Sequence, residues 1–219
     1  MSELERLLGE RWQRRAQAEL ETGIFFAQLA PRVLREVREL PVLQRISAAV
    51  SEELTHAELC RGLAVHYLGR EVDWPTPRSW PEPAIEGVSP SMETALLITS
   101  MCCINETLAS AYLRACHQAA TVPMVKSALQ TLLGDEVHHA QAGWAFLAPR
   151  VASSQFRADL TRFLPLLLDF NLSMWLERIA DEVNQPDHGY LDARRLEPEL
   201  RACVSDVIVA GFHHLGVTL

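Results

Sequence analysis

The chain has no Cys-x-x-Cys pair, and its cysteines are odd in number: Cys60, Cys102, Cys103, Cys116 and Cys203. A disulfide framework or a thiolate zinc site is therefore not expected. The thiols read as reduced, in a cytoplasmic protein. There is no basic excess either. Lys and Arg number 20 against 28 Asp and Glu, for a net charge of −8, which argues against a nucleic-acid partner. No uninterrupted run of about 18 apolar residues occurs, so no membrane-spanning helix is expected. The opening MSELERLLGERWQRR is charged throughout and lacks the apolar centre of a signal peptide. Strand-like alternation bounded by turn residues is also missing, leaving an all-α chain. What is present is enough apolar material, 48% of 219 residues, to exclude intrinsic disorder and to build one domain.

The apolar spacing predicts six helices. The first covers 2–37, with a kink near Pro31. The second covers 42–68, opened by Pro41 and closed by Gly69. A proline-rich connection over 69–90 leads to a third helix over 90–119. The fourth covers 123–148, ended by Pro149. The fifth covers 154–184, behind a Ser153/Ser154 cap and with a kink at Pro165. The sixth covers 193–210. Two helical hairpins joined by one long crossover make a four-helix bundle over 1–148. The two C-terminal helices of 149–219 add to it within a single domain.

Two Glu-x-x-His motifs carry the chemistry: Glu53-Leu54-Thr55-His56 and Glu136-Val137-His138-His139. Residues three apart share a helix face, so each Glu and His can reach one metal ion. At about 100° per residue, Glu53 shares its face with Ile46, Ala49, Ala57 and Cys60, and Glu136 shares its face with Leu129, Leu132, Ala140 and Gly143. Both motifs point inward, where an isolated carboxylate is costly and metal coordination is the usual remedy. His138 falls on the opposite, solvated face. Each preceding helix also carries a core-facing acid. Glu106 is the single charge on an apolar stripe that includes Thr99, Cys102, Cys103 and Leu113. In the first helix, Glu19 lies at the centre of the stripe of Leu8, Trp12, Ala16, Gly23 and Phe26. Glu21 lies among polar residues but nearer the height of Glu53. Glu19 is preferred, with Glu21 as the alternative. These four faces are expected to hold no Arg or Lys that could neutralise the acids. Four carboxylates and two imidazoles form a hard-to-borderline donor set, suited to Fe or Mn.

The pattern Glu19, Glu53-x-x-His56, Glu106, Glu136-x-x-His139 resembles the ferritin-like di-iron carboxylate superfamily over about residues 10–148. The acids preceding each motif, Glu52 and Asp135, are similar to those of its oxygen-activating branch. There such an acid hydrogen-bonds the histidine of the other motif. The resemblance therefore implies pairs of Asp135 with His56 and Glu52 with His139, although Glu52 departs from the usual Asp. It also implies a role for Ser110 on the oxygen-binding side. The implied activity is that of a di-iron oxygenase or oxidase using O2 to hydroxylate, desaturate or N-oxygenate a small organic substrate. Glu19, Glu53, His56, Glu106, Glu136 and His139 are the implied metal ligands and catalytic centre. Two Fe ions, two Mn ions or a mixed pair would fill it, and an external electron donor would serve it. The alternative is iron handling, as a ferroxidase, storage or peroxide-scavenging protein. No nucleic-acid or membrane partner is expected, and a homodimer remains open. The fifth helix, with FLPLLLDFNLSMWLERIA, is expected to be buried on more than one side, as a bundle cap, a dimer interface or a pocket wall. The Trp74/Trp80 loop would add to a pocket.

Overall fold

The computed structural model describes residues 1–36, 39–74, 76 and 87–218. The expectations for Val37 and Trp80 fall outside these residues. The chain is all-helical. Among the described residues no strand forms, only an isolated antiparallel bridge between Gln185 and Tyr190. The long helices are α1 (Glu3–Glu36), α2 (Leu40–Leu68), α5 (Pro123–Arg150) and α6 (Ser154–Ala180). Between α2 and α5, α3 (Pro90–Ile98) and α4 (Glu106–Ala119) are joined without a break by a π-helical segment, Thr99–Asn105. After α6 come α7 (Ala193–Cys203), a π-helical stretch Val204–Val209 and α8 (Ala210–His214).

Local chemistry sets the helix ends. Ser89 Oγ accepts from Met92 N at 3.2 Å to start α3, and Ser153 Oγ accepts from Phe156 N at 3.3 Å to start α6. Gly69, at φ 62°, closes α2 in the left-handed conformation that glycine adopts without cost. Helices α1 and α2 pack along each other, α4 packs on α5, and α2 packs on α5. Trp12, Phe26, Ile46, Leu132 and Phe146 are fully buried between them. Each such side chain contributes roughly 1.5–3 kcal/mol of apolar burial. Helix α7 packs against α4 and α6, tying the C-terminal helices to the rest.

Several expectations need correction. Pro149 does not end α5, which continues to Arg150. So close to the C-terminus a proline forfeits a single ladder bond, and Val151 N still donates to Leu147 O at 3.1 Å. Helix α6 stops at Ala180 because Arg11 draws the next turn away, donating to Asp181 O and pairing with Glu182 at 3.4 Å. Nor is α6 buried on more than one side. Leu160, Leu164, Leu168, Trp175 and Ile179 face inward, whereas Leu166, Phe170 and Met174 are exposed. The helical stretch Pro90–Ala119 is long and apolar enough, by length and composition alone, to cross a membrane. Its most apolar window is 72% buried within the protein, as in a core helix. Counting uninterrupted apolar runs missed it because Glu93, Glu106 and Arg114 interrupt them.

Candidate metal centre

Glu19 on α1, Glu53 and His56 on α2, Glu106 at the start of α4, and Glu136 and His139 on α5 are all buried. They form two overlapping groups. Glu19, Glu53, His56 and Glu136 make one, and Glu53, Glu106, Glu136 and His139 make the other. Within each group the ligand atoms lie within 4.8 Å of one another, so each could hold a metal ion. Glu53 and Glu136 belong to both. Glu21 joins neither group. It is half-buried, and its Oε1 accepts from Gln17 Nε2 at 2.9 Å.

Two close approaches bring the elements together. A Cβ on Gly23 would sit 3.2 Å from Glu53 Cβ, so glycine lets α1 approach α2 beside the site. A Cβ on Gly143 would sit 2.6 Å from Cys102 Cβ and 2.8 Å from Cys103 Sγ. Glycine there seats the π-helical segment against α5. The wider π turn leads directly into Glu106, and such turns recur at functional sites.

The two imidazoles are oriented alike. Their Nδ1 atoms face inward: His56 Nδ1 lies 3.4 Å from Glu53 Oε2 and 3.6 Å from Glu136 Oε1, and His139 Nδ1 lies 3.0 Å from Glu136 Oε2 and 3.2 Å from Glu53 Oε1. Their Nε2 atoms face outward, 3.1 Å from Asp135 Oδ2 for His56 and 2.8 Å from Glu52 Oε2 for His139. An acid on the outer nitrogen fixes the tautomer that leaves the inner nitrogen free to ligate. His138 is exposed, as its face requires. Ser110 is buried one turn beyond Glu106, and its hydroxyl has no hydrogen-bond partner.

The cluster is electrostatically strained without a cation. Burial, then the charge of Glu136, raises the Glu53 carboxyl to about 7. Burial, then Glu136 and Glu53, pushes Glu106 well above the usual carboxylate range. Burial opposes charge on His56, but the surrounding carboxylates, Glu53 foremost, raise it to about 9. His139 is raised to about 12 against the same opposition, chiefly by Glu136 and Glu53. Burial would also raise Glu136, yet hydrogen bonding and charge from His139 outweigh it and lower its pKa. Both Glu53 oxygens, His56 Nδ1 and Glu106 Oε1 remain buried without a hydrogen-bond partner. Orphaned buried polar atoms of this kind converging on one place fit a bound metal.

One expectation about the site is overturned. Arg15 is buried one turn before Glu19, and its Nε stands 3.2 Å from Glu19 Oε1. A cation does therefore accompany one of the acids. The signal was available, since positions 15 and 19 share a face at i,i+4. The guanidinium is accommodated because it lies over the rings of Trp12, at 5.6 Å, and Tyr112, at 5.0 Å. The π-helical segment was also missed. Thr99, Ser100, Cys102, Cys103 and Asn105 carry no pattern that separates it from an ordinary helix. No family model, curated protein or solved structure matches this chain.

Proposed function

We propose that the chain is a ferritin-like di-iron carboxylate enzyme that uses O2 to oxidise a small organic substrate. The observation that carries this reading is the pair of overlapping ligand groups sharing Glu53 and Glu136, with an acid behind each imidazole. In this reading Glu19 and His56 would help to hold one metal ion and Glu106 and His139 the other, with Glu53 and Glu136 available to both. When bound, a pair of reduced iron ions supplies the electrons that activate O2. Asp135 and Glu52 hold the imidazoles in their ligating tautomers. Phe26, with its ring 5.3 Å from that of His139, and the buried Cys102 and Cys103 keep water from the centre. The packing of α1 on α2, α4 on α5 and α2 on α5 supports the ferritin-like arrangement. Five buried free thiols support a reducing, cytoplasmic setting, and an external donor would provide electrons.

The test has two readings. Anaerobic Fe(II) loading followed by elemental analysis is expected to give about two iron per chain. Fewer than about half an iron per chain would overturn the site. Stopped-flow absorbance on mixing the Fe(II) protein with O2 is then expected to respond to organic substrates. Iron oxidation at one rate whatever organic compound is present would favour iron handling instead.

A further inference from the structure

Two adjoining cavities lie outside the ligand cluster, against α1 and α6. The larger, about 450 Å³, is walled by Phe25, Leu29, Leu97, Met101, Phe170 and Met174. That volume lies within the roughly 300–1,000 Å³ of small-molecule sites. Several polar groups on its wall are already engaged. Asn105 Oδ1 accepts from Trp175 Nε1 at 2.9 Å, Asn171 Nδ2 donates to Ser100 Oγ at 2.8 Å, and Arg32 pairs with Glu93 at 2.7 Å. This lobe therefore offers mainly apolar surface. Phe170 and Met174 form an exposed lip on α6, 58% and 37% accessible, where a monomeric surface gains nothing from them.

The smaller cavity, about 280 Å³, has the opposite character. Arg11, Arg14, Arg15 and Arg178 line it with the two carboxylates Glu21 and Glu182, and with Glu19 counted as the partner of Arg15 an excess of one positive charge remains. Three buried donors on its wall, Arg15 Nη1, Arg11 Nε and the Tyr190 hydroxyl, have no hydrogen-bond partner. Arg15 and Tyr190 are only 5% and 2% exposed, so the deficit is one that an anionic acceptor would relieve. Ala18, Glu21 and Arg178 line both cavities, which makes them neighbours.

We propose that the two cavities form one binding site for an amphiphilic organic carboxylate, its apolar body in the larger lobe and its carboxylate against Arg15, Arg178 and Tyr190. The site lies one residue from the metal centre on two sides. Arg15 already holds Glu19 through Nε, and Met101 and Asn105 belong to the π turn that delivers Glu106. That this ligand is the substrate rests on the oxygenase reading. The binding itself does not.

Isothermal titration calorimetry of the whole chain, metal-free and Mn(II)-loaded, with decanoate, decanol and decyltrimethylammonium tests it. Decanoate is expected to bind saturably, decanol at least tenfold more weakly, and the cation not at all. Arg178→Gln is expected to weaken decanoate at least tenfold and to leave decanol unchanged. Met174→Asp is expected to weaken both. Both side chains are exposed, and a melting curve for each variant verifies that it folds. No saturable decanoate binding would overturn the site. Equal binding of decanoate and decanol, or an Arg178→Gln variant that binds decanoate normally, would overturn the carboxylate assignment. Decanoate binding by a chain that takes up no metal would leave this site standing while the oxygenase reading falls. Normal metal loading without decanoate binding would do the reverse.

Discussion

Individual residues divide into those that burial makes legible and those that it conceals. Glu53, Glu106 and Glu136 stand out in sequence because a lone acid on an apolar stripe needs a cation. The same logic reaches Glu19 over Glu21, and the structure buries Glu19 in a ligand group while Glu21 bonds Gln17 outside it. Elemental analysis after anaerobic loading separates the roles. Glu106→Ala and His139→Ala are each expected to abolish stable two-iron loading, while Glu21→Ala retains it. Retention in the first two would mean that other residues bind the metal. Arg15 is the residue the stripe hid, since a long guanidinium can be buried when an acid and two aromatic faces receive it. Removing one partner of a buried pair costs about 3–5 kcal/mol. In metal-free protein, Arg15→Met is therefore expected to lower stability to urea by roughly that amount. Arg15→Met/Glu19→Gln should recover part of it, because the stranded charge is gone. Equal losses in the single and double variants would show that packing, not charge, is the role of Arg15.

The elements were mostly visible in the spacing of apolar residues, because α1, α2 and α5 each bury one stripe, and α2 ends on the local chemistry of Gly69. What spacing could not show is where the helical turn widens. Thr99–Asn105 becomes π-helical through contacts with α5 and α6, tertiary facts with no local signature. The position of Glu106, one of the six candidate ligands, depends on that seat. Gly143 tests it directly, since a methyl group there would overlap Cys102 and Cys103. Gly143→Ala is expected to cost about 1–3 kcal/mol as an overpacked contact, and to weaken metal binding through Glu106 and His139 more than through Glu19 and His56. Gly134, on the same helix, has nothing within 4 Å of an added Cβ. Gly134→Ala should therefore stabilise by up to about 1 kcal/mol through helix propensity. Urea midpoints of the two variants supply the comparison, and a neutral Gly143→Ala would remove the argument for a tight seat.

For the whole molecule, the net charge of −8 describes more than a surface. Four of its acids, Glu19, Glu53, Glu106 and Glu136, are buried around one cluster, and two divalent ions there would halve the excess. Without metal the cluster relies on protons. His56 is raised to about 9, His139 to about 12 and Glu53 to about 7, with Glu106 also displaced upward. In each case the folded chain holds a proton that the unfolded chain releases, so this stability is complete below the unfolded pKa and is lost as pH rises through the folded one. Glu136 runs the other way. Its pKa is lowered, and its contribution disappears only in acid. Between about pH 6.5 and pH 9 the metal-free protein should therefore lose stability, with His56 titrating across that window. Metal requires the same groups deprotonated, so its affinity rises over that range. It stabilises the folded state by RT ln(1 + [M]/Kd), about 4 kcal/mol at a thousandfold excess over Kd. The gap in Tm between Mn(II)-loaded and metal-free protein is thus expected to widen from pH 6.5 to pH 9. Melting curves followed by circular dichroism across that range provide the measurement. A gap that stays constant or narrows would mean that the buried acids and imidazoles are not what the metal displaces protons from.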